Sequence, residues 1–118
     1  PGFIILFIIF THGIASLALT EWKIFNMKKD AEIIITAINK YYYDNKEYPE
    51  KLDSLIPKYI AKIPKTRFHA YVNNYHYSIE NATDNHGVKH LYYELHFRTG
   101  DFESHIYRSD ENSWRTGS

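Results

Sequence analysis

The chain contains no cysteine, which excludes thiol nucleophiles, thiolate metal sites and a disulfide framework, and leaves the redox compartment open. An excess of either charge is also missing. Fourteen Lys and Arg balance 14 Asp and Glu over 118 residues, so no basic nucleic-acid-binding surface is expected. Glycine is scarce, with 5 in the chain, and no Gly-rich phosphate loop can be assembled from them. No charge precedes Glu21, and no tyrosine precedes Tyr41, although the chain has 11 tyrosines. The two ends of the chain are therefore written for different solvents. A mean hydropathy of −0.46 excludes a polytopic membrane protein, and the length suits one domain.

Residues 3–19 form a run of 17 without a charge, interrupted only by Thr11, His12, Gly13 and Ser16. At about 1.5 Å per residue such a helix spans roughly 25 Å, the short end of what a bilayer requires. A single membrane-spanning helix is the expected reading. A cleaved secretory signal, with a small-residue site in Ala15-Ser16-Leu17-Ala18-Leu19, competes with it, as does a segment that does not belong to the natural chain. A buried core helix fits less well, because about 100 remaining residues would have to wrap a helix that is apolar all round. Lys23, Lys28 and Lys29 follow the run and favour a cytoplasmic side for what comes after it. The chain opens on Pro1 rather than Met, and a basic leader upstream would reverse that orientation. His12, in the middle of the run, is either a membrane-buried contact group or a neutral imidazole bonded to the preceding turn.

No Pro or Gly occurs between Gly13 and Pro49. Ala31, Ile34, Ile35, Ile38, Tyr41 and Tyr42 recur at the spacing of one helical face, and Ile24 and Met27 carry the stripe backwards. The apolar helix is thus expected to continue unbroken into an amphipathic one ending near Asn45, before the stop formed by Tyr48-Pro49. Residues 50–56, between Pro49 and Pro57, predict a short second helix whose Leu52, Leu55 and Ile56 fold back on the first. Residues 59–64 predict an extended connection.

After that the period changes from 3.6 to 2. Residues 75–79 predict a strand, followed by a polar loop through Asn81, Asp84, Asn85 and Gly87. Leu91, Tyr93, Leu95 and Phe97 alternate with Tyr92, Glu94, His96 and Arg98 in a half-buried strand. Gly100-Asp101 suits a two-residue type II′ turn. That turn would pair Leu95 with Ile106 and Phe97 with Ser104 on one face, and Arg98 with Glu103 and His96 with His105 on the other. Residues 110–118 are expected to be a tail carrying Trp114. The predicted core is Ile34, Ile38, Tyr41, Leu52, Leu55, Leu95, Phe97 and Ile106.

This order of elements resembles the type IV pilin-like fold, and most closely the pseudopilins of type II secretion systems. Gly2-Phe3 is similar to the junction cut by prepilin peptidase, and residues 13–17 to the family's membrane span. Residues 37–49, ending in Tyr48-Pro49, are similar to the family's helix end. Leu52-Asp53-Ser54-Leu55, Tyr59-Ile60 and Ile63-Pro64 are similar to the segment after it. About half of the chain is covered. The resemblance implies an α+β fold, with residues 1–20 the membrane-spanning part of a long N-terminal helix and residues 21–118 a headpiece in which that helix packs on a small antiparallel meander. It implies an inner-membrane, single-pass protein with a periplasmic headpiece. Its partners would be the lipid bilayer and other membrane or secretion-system proteins.

The sequence also departs from the family. Counting from Phe3, the family usually has a Glu four positions on, thought to pair with a neighbouring subunit's terminal amine; Phe7 stands there. The helix before Pro49 is shorter by roughly three turns, about 16 Å of rise. Lys65-Thr66-Arg67-Phe68 replaces the usual Asp-Pro-Trp-Gly, and the aspartate-rich calcium loop is reduced to Asp110-Glu111-Asn112, so no calcium site is carried over.

Among the histidines, His96 and His105 are the candidate metal pair, with Glu94 or Glu103 as a third ligand; otherwise they are surface residues. Ser104 and His105 are neighbours in a strand and point to opposite faces, so they cannot act together as a nucleophile and base. No enzyme, cofactor or small-molecule substrate is expected. Tyrosine is the abundant residue, serving either as bulk for a small core or as an exposed contact face. The candidate interaction residues are Phe3, Phe7, His12, Tyr41, Tyr42, Tyr92 and Tyr107. The expected function is that of a membrane-anchored, pseudopilin-like structural or interaction protein with an extracytoplasmic headpiece, a minor subunit of a secretion or pilus-type assembly. The alternative is a membrane-tethered binding or immunity-type protein that does not polymerise.

Overall fold

The computed structural model describes the backbone of residues 2–66, 74–99 and 103–117, and their side chains from Ala18 onward, Thr20 excepted. One helix, α1 (Gly2–Asn45), is followed by a 3₁₀ turn (Leu52–Leu55) and four strands, β1 (His76–Thr83), β2 (Lys89–Arg98), β3 (Ser104–Arg108) and β4 (Ser113–Gly117). The strands form one antiparallel sheet in the order β1-β2-β3-β4. A 44-residue helix is about 66 Å long, and it sets the 67 Å long axis of the molecule.

The helix continues without a break as expected, since no residue between Gly13 and Pro49 interrupts its hydrogen-bond ladder. It ends where Lys46 turns to a positive φ of 59° and its N–H donates to the Tyr42 carbonyl over 2.8 Å, a left-handed stop after the last turn. The expected second helix is reduced to the single turn Leu52–Leu55. With Pro49 and Pro57 bracketing seven residues there is no room to propagate a helix past its costly first turn.

Among the described side chains of the helix, full burial starts at Met27. Met27, Ala31, Ile34, Ile35, Ala37 and Ile38 on α1 are buried against Leu55, Tyr75, Tyr93, Leu95, Phe97 and Tyr107. Burying a side chain the size of Leu95 or Phe97 contributes about 1.5–3 kcal/mol. Of the predicted core, Ile34, Ile38, Leu55, Leu95 and Phe97 are buried, and Tyr41 and Leu52 pack at its margin.

The β2–β3 register differs from the expected one. Leu95 pairs with Tyr107, Phe97 with His105, His96 with Ile106 and Arg98 with Ser104. The ladder closes with the Thr99 N–H donating to the Glu103 carbonyl over 3.0 Å, one residue further along than a two-residue turn allows. The turn expected at Gly100-Asp101 lies outside the described residues. A one-residue slip exchanges the faces of every side chain on β3, so His105 and Tyr107 face the helix and Ile106 does not. The aromatic layer accounts for the preference: Tyr107 and His105 complete an inner face with Phe97 and Trp114, the ring centroids of Phe97 lying 5.0 Å from His105 and 5.6 Å from Trp114.

Two further expectations are corrected. Residues 110–118 are not a tail, because Ser113–Gly117 pairs with β3 as an edge strand and brings Trp114 opposite Tyr107. The polar loop is also shorter than expected, since β1 runs on to Thr83. Asp84 makes the reversal compact: its Oδ1 accepts from the N–H groups of His86 and Val88 at 2.8 and 2.9 Å, and Gly87 takes the positive φ of 78° that the turn demands.

Candidate interaction surface

Tyrosine hydroxyls fasten the sheet along the helix. Tyr75 donates to the Met27 carbonyl (2.7 Å), Tyr93 to Asn39 Oδ1 (3.2 Å) and Tyr77 to the Pro49 carbonyl (2.7 Å). Met27 and Asn39 are about 18 Å apart along the axis, so the bonds register the two layers from the foot of the headpiece to the end of α1. Tyr59 donates to Asp44 (2.8 Å) and ties the segment after the 3₁₀ turn to the same helix end. Burial raises the ionisation of Tyr77 and Tyr93 far above the ordinary phenol value, helped by neighbouring tyrosines. These groups are permanent neutral donors.

The residues expected to meet partners fall into three groups. Phe3, Phe7 and His12 lie in α1, with side chains outside the described set. Tyr92 and Tyr107 are buried within the chain. Tyr107 donates to Asn112 Oδ1 at 2.6 Å, while Tyr92, on the opposite sheet face, is covered by the Arg108 guanidinium 4.3 Å from its ring centroid. Tyr41 is half-buried and meets Tyr59 edge-on at 5.5 Å. Tyr42 is exposed, with Tyr48 against its ring at 4.6 Å. Tyrosine is thus mostly core bulk here, and its exposed members gather at the end of α1, where Tyr43 is 75% exposed.

His96 and His105, the candidate metal pair, lie on opposite faces of the sheet because of the register shift. Among the described residues no group of three or more His, Cys, Asp or Glu side chains is placed to hold a metal ion. His105 is 5% exposed, with Glu103 Oε1 3.5 Å from its Nε2, and neither ring nitrogen has a hydrogen-bond partner among the described residues. Burial and the Lys28 charge push its imidazole below the usual value, against Glu103 and Glu21. His96 is pushed down by burial, His76 and Arg98.

The outer sheet face carries a charged staple. Arg108 donates to both oxygens of Asp110 at 3.1 and 2.8 Å, and Glu111 accepts from Arg115. Burial opposes ionisation of Asp110, yet the bonds and charge of Arg108 and the hydrogen bond from His90 hold its carboxyl below the ordinary range. This network closes the β3–β4 reversal, in which Asn112 has a φ of 49°.

A surface not singled out from the sequence lies on α1 below the headpiece. Leu19, Trp22 and Phe25 are 52%, 55% and 65% exposed on consecutive turns, immediately after the charge-free run and immediately before Met27 enters the core. Single exposed apolar residues are ordinary; three in succession at this junction are not. An aromatic residue directly after a membrane-length apolar run was the available signal. Among the residues with described side chains no helix is long and apolar enough to cross a membrane, and the side chains of residues 3–17 lie outside that set.

Concave surface is open rather than enclosed. One groove of about 510 Å³ runs between the 3₁₀ turn and β1, past Asp53, Ile56, Ile63 and His76. Another, of about 540 Å³, lies beside the end of α1 between Lys40, Tyr43 and Tyr59. No family model, curated protein or solved structure matches the chain.

Proposed function

We propose that the chain is a membrane-anchored, pilin-like interaction protein without enzymatic activity, its headpiece standing on the periplasmic face of the inner membrane. The observation that carries this reading is the passage from residue 19 to residue 27. One unbroken helix leaves a charge-free run, exposes Leu19, Trp22 and Phe25 over two turns, and only then enters the core of the headpiece. Trp and its neighbours prefer the headgroup level of a bilayer, where an apolar body and a polar edge are both accommodated. The resemblance to pseudopilins supplies the family of assemblies: other membrane or secretion-system proteins are the partners, met through the helix and the exposed tyrosines at its end.

Phe7 argues against a chain that polymerises with itself. Where pilin-like helices pack against each other, an unpaired terminal amine in hydrocarbon is costly and the family's Glu relieves it. Phe7 cannot. The chain is accordingly a minor or terminal subunit or, in the second reading that the same residue equally supports, a tethered binding protein that does not assemble with itself.

The test is membrane extraction combined with fluorescence quenching on the full chain. The protein should stay in membranes washed with alkaline carbonate, and spin-labelled lipid bearing its label near the headgroup should quench one of the two tryptophans. Trp22→Phe should abolish that quenching. Release by carbonate, or quenching unchanged in Trp22→Phe, would sink the anchor. A homopolymeric filament of the unmodified chain would sink the minor-subunit reading.

A further inference from the structure

His76 on β1 and His96 on β2 stand directly opposite each other in the antiparallel ladder. Their ring centroids are 5.0 Å apart and their planes inclined by 28°. Both project from the sheet face turned away from α1; His76 is exposed and His96 half-buried. Directly opposed residues hold their Cβ atoms about 4.5–5.5 Å apart. The two imidazoles therefore stand side by side with no backbone movement required.

We propose that His76 and His96 form a two-histidine chelate for a late first-row divalent ion such as zinc. Zinc bonds imidazole nitrogen at about 2.0–2.1 Å in a tetrahedral shell, so the two ligating nitrogens must stand about 3.3 Å apart, a separation within reach of rings whose centroids lie 5.0 Å apart once they turn out of the stack. The sheet has already fixed both backbones, so the ordering normally needed to bring two ligands together is small. In the same row on β3 stands Ile106, opposite His96, a neighbour that offers no competing hydrogen bond. Arg98, two residues along β2, is exposed; its charge acts on His96 and opposes a cation there, an opposition that solvent reduces but does not remove. Since no third His, Cys, Asp or Glu converges among the described residues, water fills the remaining coordination positions. Imidazole selects zinc, copper and nickel, whereas calcium and magnesium seek oxygen. The inference is independent of how the chain is anchored.

Zinc chloride titrated into the full chain in detergent micelles, followed by calorimetry and by the histidine Cε1 resonances, tests it. One zinc per chain is expected, with shifts confined to His76 and His96, and no response to calcium or magnesium chloride. Loss of a supporting group around a metal ligand already costs 10–100-fold in affinity, so His76→Gln or His96→Gln should weaken binding at least about tenfold. His86→Gln, in the exposed hairpin turn, should leave it unchanged. Absence of binding, equal binding in the double variant, or a response centred on His90 beside Asp110 would overturn the proposal and leave the pair as a ring-stacking contact only.

Discussion

Replacing His105 by Phe is expected to stabilise the protein, although it alters a buried residue in the centre of the sheet. The His105 ring is stacked on Phe97 at 5.0 Å with planes 19° apart, a contact that a Phe ring of similar shape retains. What the substitution removes is two ring nitrogens that find no hydrogen-bond partner among the described residues, and an unsatisfied buried polar group costs about 1–3 kcal/mol. The gain at pH 7 should be about 1–2 kcal/mol. The pH dependence is more diagnostic. Burial and Lys28 lower the folded-state value of His105 more than Glu103 and Glu21 raise it, so below about pH 6.5, the ordinary imidazole value, the unfolded chain binds a proton that the folded one refuses. Stability is then complete above that pH and is lost as pH falls toward the lowered folded value, with a slope of up to about 1.4 kcal/mol per unit. Thermal unfolding of the full chain in detergent, followed by near-ultraviolet circular dichroism between pH 7.5 and 5, measures both effects. His96 contributes a slope of the same sign, so the difference between wild type and His105→Phe isolates His105. Parallel curves, or a variant less stable by more than about 1 kcal/mol at pH 7, would refute the reasoning.

Leu95→Ala should cost about 2–5 kcal/mol in denaturant unfolding, because Leu95 is fully buried between α1 and the sheet; a loss below about 1 kcal/mol would mean that the register is wrong. Tyr75→Phe removes the donor to the Met27 carbonyl. As a helix carbonyl retains its own ladder bond, the expected loss is near about 1 kcal/mol, with the denaturant slope unchanged.

The helix was legible because its evidence is redundant: a 3.6-residue stripe from Ile24 to Tyr42, no breaker after Gly13, and Tyr48-Pro49 at the end. The β2 strand was legible for the same kind of reason, as period 2 persists over Leu91 to Phe97. Its pairing with β3 was not. Register depends on a turn length that Gly100-Asp101 leaves ambiguous by one residue, and the opposite charges of Arg98 and Glu103 supported the wrong choice. An exposed ion pair contributes less than about 1 kcal/mol, whereas turning Tyr107 and His105 inward buries two large rings beside Phe97 and Trp114. Burial outweighs the charge pair. β4 was missed because Ser113-Trp114-Arg115-Thr116-Gly117 has one large apolar side chain; an edge strand needs only one buried face and a partner's open ladder.

The candidate site was harder to read, and tyrosine shows why. Its composition signal is the same whether the ring fills a core or meets a partner, and only the hydroxyl's destination separates the two. Tyr75, Tyr77 and Tyr93 send theirs to Met27, Pro49 and Asn39, contacts far away in sequence that no local pattern encodes. Trp22 and Phe25 have the opposite history. They lie on the helical stretch between the charge-free run and the buried stripe, where neither the sheet nor the rest of the helix covers them. A soluble headpiece would gain nothing from three exposed apolar side chains on successive turns, since each leaves area in water that burial would otherwise turn into stability at about 25 cal/mol per Å². Their position immediately beyond residues 3–19 is what the proposed anchoring would explain: the surface left open by the fold is the one a bilayer interface would close.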